Sequence, residues 1–302
     1  MSQIHHTNRD YALDILRGIC VISIVLIHTT FWSGGSYVPQ AVQSLSLLID
    51  VPAFFFIAGA SQAYAKQINP LPSIWKMIAY FAVAIALYDI YAWIRTGELS
   101  FVATFSALTL HGFSTPLLPV LGGSYWFVPV FCVVGILGGI VLRYVRLRTG
   151  ILAGLVGLGA LLTYTYVYAG RAEFQGSFFG VGTQYLLFYT ALFVLGFCFI
   201  KSSNRRAYSM TFILVGAIGF IATELFHKLG LPAGIPSLSN LQAHKFPPSL
   251  PYILASCFSL GLLLFLYQYL SKCNLAQILQ QSRIVLARAN NRGGGGGASL
   301  KL

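Results

Sequence analysis

Eight stretches of this chain, at about 15–32, 42–65, 74–95, 124–144, 150–169, 181–200, 208–227 and 249–270, stay apolar for close to the length of a bilayer-crossing helix. About twenty apolar residues suffice for that crossing. In hydrocarbon the backbone satisfies its own hydrogen bonds only as helix or closed barrel, and none of these runs shows the alternation of a strand. The expectation is an all-α integral membrane protein, a bundle of about eight transmembrane helices. Composition excludes a soluble domain: 57% of the 302 residues are hydrophobic, 9% are charged, and the mean hydropathy is +0.74.

The few charges report orientation. Lys and Arg gather in short cytoplasmic loops. With the N-terminus inside, the cytoplasmic connections hold Lys66 and Lys76, then Arg143, Arg146 and Arg148, then Lys201, Arg205 and Arg206. The opposite connections hold Arg95, Arg171, and the pair Lys228 and Lys245. This predicts a cytoplasmic N-terminal tail over 1–13, a transmembrane domain over 14–272, and a polar, basic tail over 273–302. That tail passes through five glycines, Gly293 to Gly297, and reads as flexible or non-native. No apolar stretch within the first thirty residues is preceded by a basic n-region and followed by a small-residue cleavage site, so the first helix is expected to stay.

A net charge of +12 is spread between apolar segments rather than gathered on one face, which argues against nucleic acid as a partner. Cys20, Cys132, Cys198 and Cys257 lie inside apolar runs, and the chain has no CxxC or His/Cys cluster. Neither a disulfide framework nor a metal site is expected. His5-His6 reads as a solvated pair in a frayed terminus.

The first span carries costly groups. Asp14, Arg17 and His28 sit on an otherwise apolar helix, and Arg17 and His28 are eleven residues apart. At about 100° per residue they return to nearly one face, roughly 16 Å apart along the axis. Arg17 reads either as a snorkelling anchor paired with Asp14 or as a phosphate clamp. His28 reads either as a satisfied bundle histidine or as a functional imidazole.

Asp50 is a lone carboxylate within an apolar run and is expected to face the bundle interior or a watery cavity. Pro52 and Gly59 follow it, consistent with a kinked, closely packed helix. Trp126, within Ser124-Tyr125-Trp126-Phe127, fits an aromatic interfacial belt. Asp89, Glu224 and His227 lie near helix ends and rank below Arg17 and His28. The long connections 96–123 and 228–248 contain His111 and His244, and Leu99–His111 is apolar enough for an interfacial segment. Lys245 to Pro251 reads as a rigid turn into the last helix.

Together these stretches resemble the acyltransferase-3 family of polytopic membrane acyltransferases. The resemblance is carried by Leu13-Asp14-Ile15-Leu16-Arg17-Gly18 with His28, by Pro52-Ala53-Phe54-Phe55-Phe56-Ile57-Ala58-Gly59, by Ser124-Tyr125-Trp126-Phe127 and by Phe246-Pro247-Pro248, in that order over about residues 13–250. It implies a bacterial inner-membrane O-acyltransferase moving an acyl group, by default acetyl, from cytoplasmic acetyl-CoA to a hydroxyl of an envelope glycan or another exported acceptor. In family terms His28 is the catalytic base and Arg17 helps hold the anionic coenzyme; Asp14, Asp50 and Trp126 support them. Both residue types suit those roles.

Two departures stand out. The family usually has about ten membrane helices, so a terminal hairpin is expected to be absent or replaced here, which puts activity in doubt if that hairpin lines the cavity. Ala58 stands where members often carry Ser. Two other functions fit the same residues. One is N-acetylation of amino sugars. The other is a proton-coupled transporter or flippase using Asp50, Asp89, Glu224 and His28, although the halves show no similarity of the kind transporters often carry.

Overall fold

A computed structural model describes residues 10–32, 37–39, 42–43, 46–47, 49–98, 101–109, 117–144, 177–178, 181–229, 245, 248 and 250–272. The span expected at 150–169, the pair His5-His6, His111, His244, the side chain of His227 and the tail 273–302 lie outside that description. In chain order the helices are α1 (Tyr11–Trp32), α2 (Val51–Gln62), α3 (Leu71–Thr96), α4 (Phe101–Leu108), α5 (Pro119–Ser124), α6 (Phe127–Tyr144), α7 (Thr183–Lys201), α8 (Arg205–Lys228) and α9 (Leu250–Lys272). Before α7, β1 (Ser177–Phe178) and β2 (Val181–Gly182) form a two-residue antiparallel ladder.

Among the described residues six helices, α1, α3, α6, α7, α8 and α9, are long and apolar enough to cross a membrane. They make this an integral membrane protein whose environment is lipid. The outward face of α3 agrees: Trp75, Tyr80, Val83, Leu87, Ile90, Trp93 and Ile94 are all exposed, an arrangement that water would oppose and hydrocarbon does not.

The run at 42–65 resolves differently from the expectation. Among the described residues its longest helix is α2, only 12 residues long, about 18 Å at 1.5 Å per residue and short of a full crossing. The reason is local. Asp50 is the residue preceding the helix, in an extended conformation, and Pro52 occupies the first turn. A proline there loses no hydrogen bond, because first-turn N–H groups lack intrahelical partners anyway. Pro52 therefore starts a helix instead of kinking one.

Although short, α2 is the hub of the core. Val51, Ala53, Phe55, Phe56, Ile57 and Ala60 are all buried in one cluster with residues of α1, α6, α7 and α9. Phe55 stacks on Tyr189 with ring centroids 4.6 Å apart, and Phe54 meets Phe127 edge-on at 5.3 Å. The crossing of α2 and α7 is reciprocal: a Cβ on Gly59 would strike the Phe193 carbonyl, and a Cβ on Gly196 would strike the Phe56 carbonyl. Small residues let two backbones touch where no hydrophobic gradient drives helices together.

The ends of the helices are fixed by specific groups. Asp10 accepts the Leu13 N–H at 3.0 Å, capping α1. Asn204 accepts the Ala207 N–H at 3.0 Å at the start of α8. α3 ends on Gly97, at φ +75°, whose N–H returns to the Trp93 carbonyl. The connection expected to be interfacial over Leu99–His111 contains the short α4. Thr104 donates to Asp89 at 2.6 Å and Tyr125 to the Ala107 carbonyl at 3.2 Å, so α4 is tied both to α3 and to the turn before α6.

Candidate functional site

α1 runs along two adjoining cavities. The first, about 430 Å³, lies toward its N-terminal half and is lined by Arg17, Cys20, Ser61, Lys76 and Phe131 among others. The second, about 380 Å³, lies toward its C-terminal half and is lined by His28, Asp50, Ser124, Trp126 and Lys245 among others. Val21, Phe54 and Met77 border both. The two cavities thus share an apolar wall.

In the first cavity Arg17 donates to Asp14 at 2.5 Å and to the Ser61 hydroxyl at 2.5 Å. The side chain is nearly half exposed, so the ion pair orients the guanidinium more than it stabilises the fold. Ser61 in turn donates to the Ile57 carbonyl at 2.6 Å, one turn back on α2. Lys76 adds a second cation to the lining. Two cations and a hydroxyl around one opening suit an anionic, phosphate-bearing group. Ala58 lines the same space, and Ser61, a turn further on, supplies a hydroxyl there.

In the second cavity His28 is half-buried, with its Nε2 3.4 Å from the Ser124 hydroxyl. Which of the two donates is set by the imidazole tautomer. Asp50 is buried and accepts from two directions at Oδ2: the Lys245 ammonium at 2.7 Å and the Tyr252 hydroxyl at 2.8 Å. The Lys245 ammonium also lies 5.6 Å from the centre of the Trp126 ring, within cation–π range. Asp50 therefore faces the interior, and Trp126 forms part of a cavity wall while remaining only half-buried.

His28, Asp50 and Trp126 come together here, and Arg17 with Asp14 marks the other end of α1. Three participants are new: Lys245, Ser61 and Lys76. Lys245 carried a legible signal, being a cation placed directly before an apolar helix with a rigid start. Ser61 and Lys76 carried none, because a serine at a helix end and a lysine in a helix's first turns are ordinary. Asp89 and Glu224 line neither cavity. Cys20, Cys132, Cys198 and Cys257 are buried thiols outside any disulfide, and among the described residues no group of three or more His, Cys, Asp or Glu is placed to hold a metal ion.

A second polar knot lies at the opposite ends of the same helices. Asp10 accepts from the Tyr267 hydroxyl at 2.6 Å, from the Tyr64 hydroxyl and from the Leu13 N–H. Arg205 donates to Tyr267 at 3.3 Å and to the Ile200 carbonyl at 2.8 Å. Burial pushes the Asp10 carboxyl upward, but the hydrogen bonds from Tyr267, Tyr64 and the backbone outweigh it and hold the group below its ordinary value. No family model, no curated protein and no solved structure matches this chain.

Proposed function

We propose that the protein is a membrane-bound O-acyltransferase of the acyltransferase-3 type, in a bacterial inner membrane with the N-terminus and the Arg17 end facing the cytoplasm. The observation that carries this reading is the pair of cavities along α1, one rimmed by Arg17 and Lys76, the other lined by His28, with Val21, Phe54 and Met77 between them. A coenzyme A thioester is charged at one end and narrow and largely uncharged toward its reactive end. The cationic cavity suits its phosphates, and the apolar wall suits the arm that carries the acyl group.

On this reading Arg17 and Lys76 bind the phosphates, with Asp14 and Ser61 fixing the guanidinium. Acetyl-CoA is the donor, and the acceptor is a hydroxyl of an envelope glycan or another exported molecule. His28 takes the proton of that hydroxyl as its oxygen attacks the thioester carbonyl, and returns it to the departing thiolate. A neutral imidazole is suited to both halves of that exchange.

Purified protein in lipid nanodiscs, given acetyl-CoA and methyl glucoside as a hydroxyl probe, is expected to release coenzyme A thiol and form an acetyl ester. His28→Ala is expected to insert normally and to lose about 100-fold or more of that release. Undiminished release in that variant sinks the mechanism. An amide in place of an ester, with glucosamine as probe, favours N-acetylation. A second reading, a proton-coupled transporter, draws on the buried Asp50–Lys245 pair beside His28; such a protein would neither bind nor consume acetyl-CoA.

A further inference from the structure

A lysine in an apolar interior is unfavourable unless it is paired, and the pair itself rarely outperforms well-packed apolar residues. The Lys245–Asp50 pair is not sealed in the core. Both residues line the second cavity, with Lys245 the more accessible of the two, at 6% against 2% side-chain exposure. Among the described residues, Lys245 is the one Lys or Arg in that lining.

Its position is held from several sides. Asp50 sits at the start of α2 and is pinned by the Tyr252 hydroxyl of α9. Tyr252 is itself buried within the core. The carboxylate then holds the ammonium, which also lies against the face of Trp126. The result is a fixed positive charge in a cavity that also presents an imidazole and a hydroxyl, in surroundings where water screens little.

Acyl transfer needs two things of such a cavity. A base must relieve the attacking hydroxyl of its proton, and a preorganised positive group must face the carbonyl oxygen as it becomes negative. His28 answers the first need. We infer that Lys245, held by Asp50, is a second catalytic residue, its ammonium stabilising the negative charge that develops on the thioester carbonyl oxygen. This rests on the acyltransferase reading above.

The step balances without any further reactant. The acceptor oxygen forms a bond to the carbonyl carbon while His28 takes its proton, and the carbonyl π pair moves onto the oxygen beside Lys245. The pair then returns, the carbon–sulfur bond breaks, and the thiolate takes the proton from His28. Lys245 keeps its charge throughout. Asp50 and Tyr252 are positioning residues.

Thiol release from acetyl-CoA with methyl glucoside, in nanodiscs, is the measurement. Lys245→Met is expected to lower kcat by about 100-fold, the usual size for losing one oxyanion donor, with KM for acetyl-CoA within about threefold of wild type because Arg17 and Lys76 are untouched. Lys245→Arg is expected to recover at least about a tenth of the wild-type rate, since a cation is restored. Should Lys245→Met leave Asp50 uncompensated and fail to fold, the charge-neutral pair Asp50→Asn with Lys245→Met replaces it and is expected to show the same loss of kcat. Wild-type kcat in a folded variant lacking the charge, or a rise in KM with kcat unchanged, overturns the role of Lys245 and leaves the acyltransferase reading standing. Absence of thiol release from the wild-type protein overturns both.

Discussion

Two carboxylates, the half-buried Asp10 and the buried Asp50, tie opposite ends of α9 to the rest of the bundle, and they do so by different chemistry. Asp10 meets Tyr267, near the C-terminal end of α9, and shares it with Tyr64 and Arg205. Asp50 meets Tyr252, near the N-terminal end, together with Lys245. The Asp10 knot is closed: its acceptors are satisfied by hydroxyls and a backbone amide, and it lines neither cavity. The Asp50 knot holds a paired cation at a cavity wall beside His28. The cation of the first knot, Arg205, donates to a hydroxyl and a carbonyl and leaves the carboxylate to neutral donors, whereas the lysine of the second is paired directly with the carboxylate at a cavity wall and asks for a purpose beyond fastening.

The comparison predicts unequal costs when each carboxylate is removed. Asp50→Ala leaves the Lys245 ammonium without its carboxylate in an apolar interior and is expected to destabilise the protein by about 3–5 kcal/mol, measured by denaturing-detergent titration in bicelles. Replacing Lys245 by Met as well is expected to recover most of that loss, because the orphaned charge is gone. A loss from Asp50→Ala no larger than from Asp10→Ala would dissolve the distinction between the knots.

Asp10→Ala is expected to cost less, about 1–3 kcal/mol, since it leaves hydroxyls and an amide without an acceptor but no bare charge. If the protein is the acyltransferase proposed above, thiol release from acetyl-CoA is expected to separate the knots differently from stability: little change for folded Asp10→Ala, a large fall for the Asp50→Asn, Lys245→Met pair. Smaller still are Tyr252→Phe and Tyr267→Phe, each expected to cost about 1 kcal/mol for the lost hydrogen bond. On the same proposed reading Tyr252→Phe should also slow thiol release, because Asp50 loses its second anchor, whereas Tyr267→Phe should not.

The Asp10 knot is expected to respond to acid. Asp10 is held below its ordinary value in the folded protein, so its contribution is fully present above the unfolded carboxylate value, about 3.9. It is lost as pH falls through the lower, folded value. Unfolding scans between neutral pH and about pH 3 are expected to show a decline in stability that Asp10→Asn flattens. An unchanged profile in that variant would mean that Asp10 is not the titrating fastener.

Much of the fold was legible because helix formation in lipid is a local matter. An apolar run of sufficient length has few alternatives, and α1, α3, α6, α7, α8 and α9 fall close to the runs at 15–32, 74–95, 124–144, 181–200, 208–227 and 249–270. The run at 42–65 misled for an instructive reason. Hydropathy averages over a window, whereas Asp50 and Pro52 act at single positions to begin α2 late. The Arg17–His28 stripe was legible for the same local reason: both residues are on one helix, and helical periodicity alone fixes their separation.

What the sequence determined by itself, then, is the set of apolar helices and the placing of Arg17 and His28 along one of them. Tertiary structure decided what each of those residues faces. Asp50 lies 202 residues before Tyr252 and nearly as far before Lys245, and it meets them only because α2 and α9 pack against one another, while Ser61 reaches Arg17 from the far end of α2. No local pattern encodes such meetings. They follow from backbones brought into contact at Gly59 and Gly196 and from aromatic packing around Phe55, which together set where the ends of α2 come to rest.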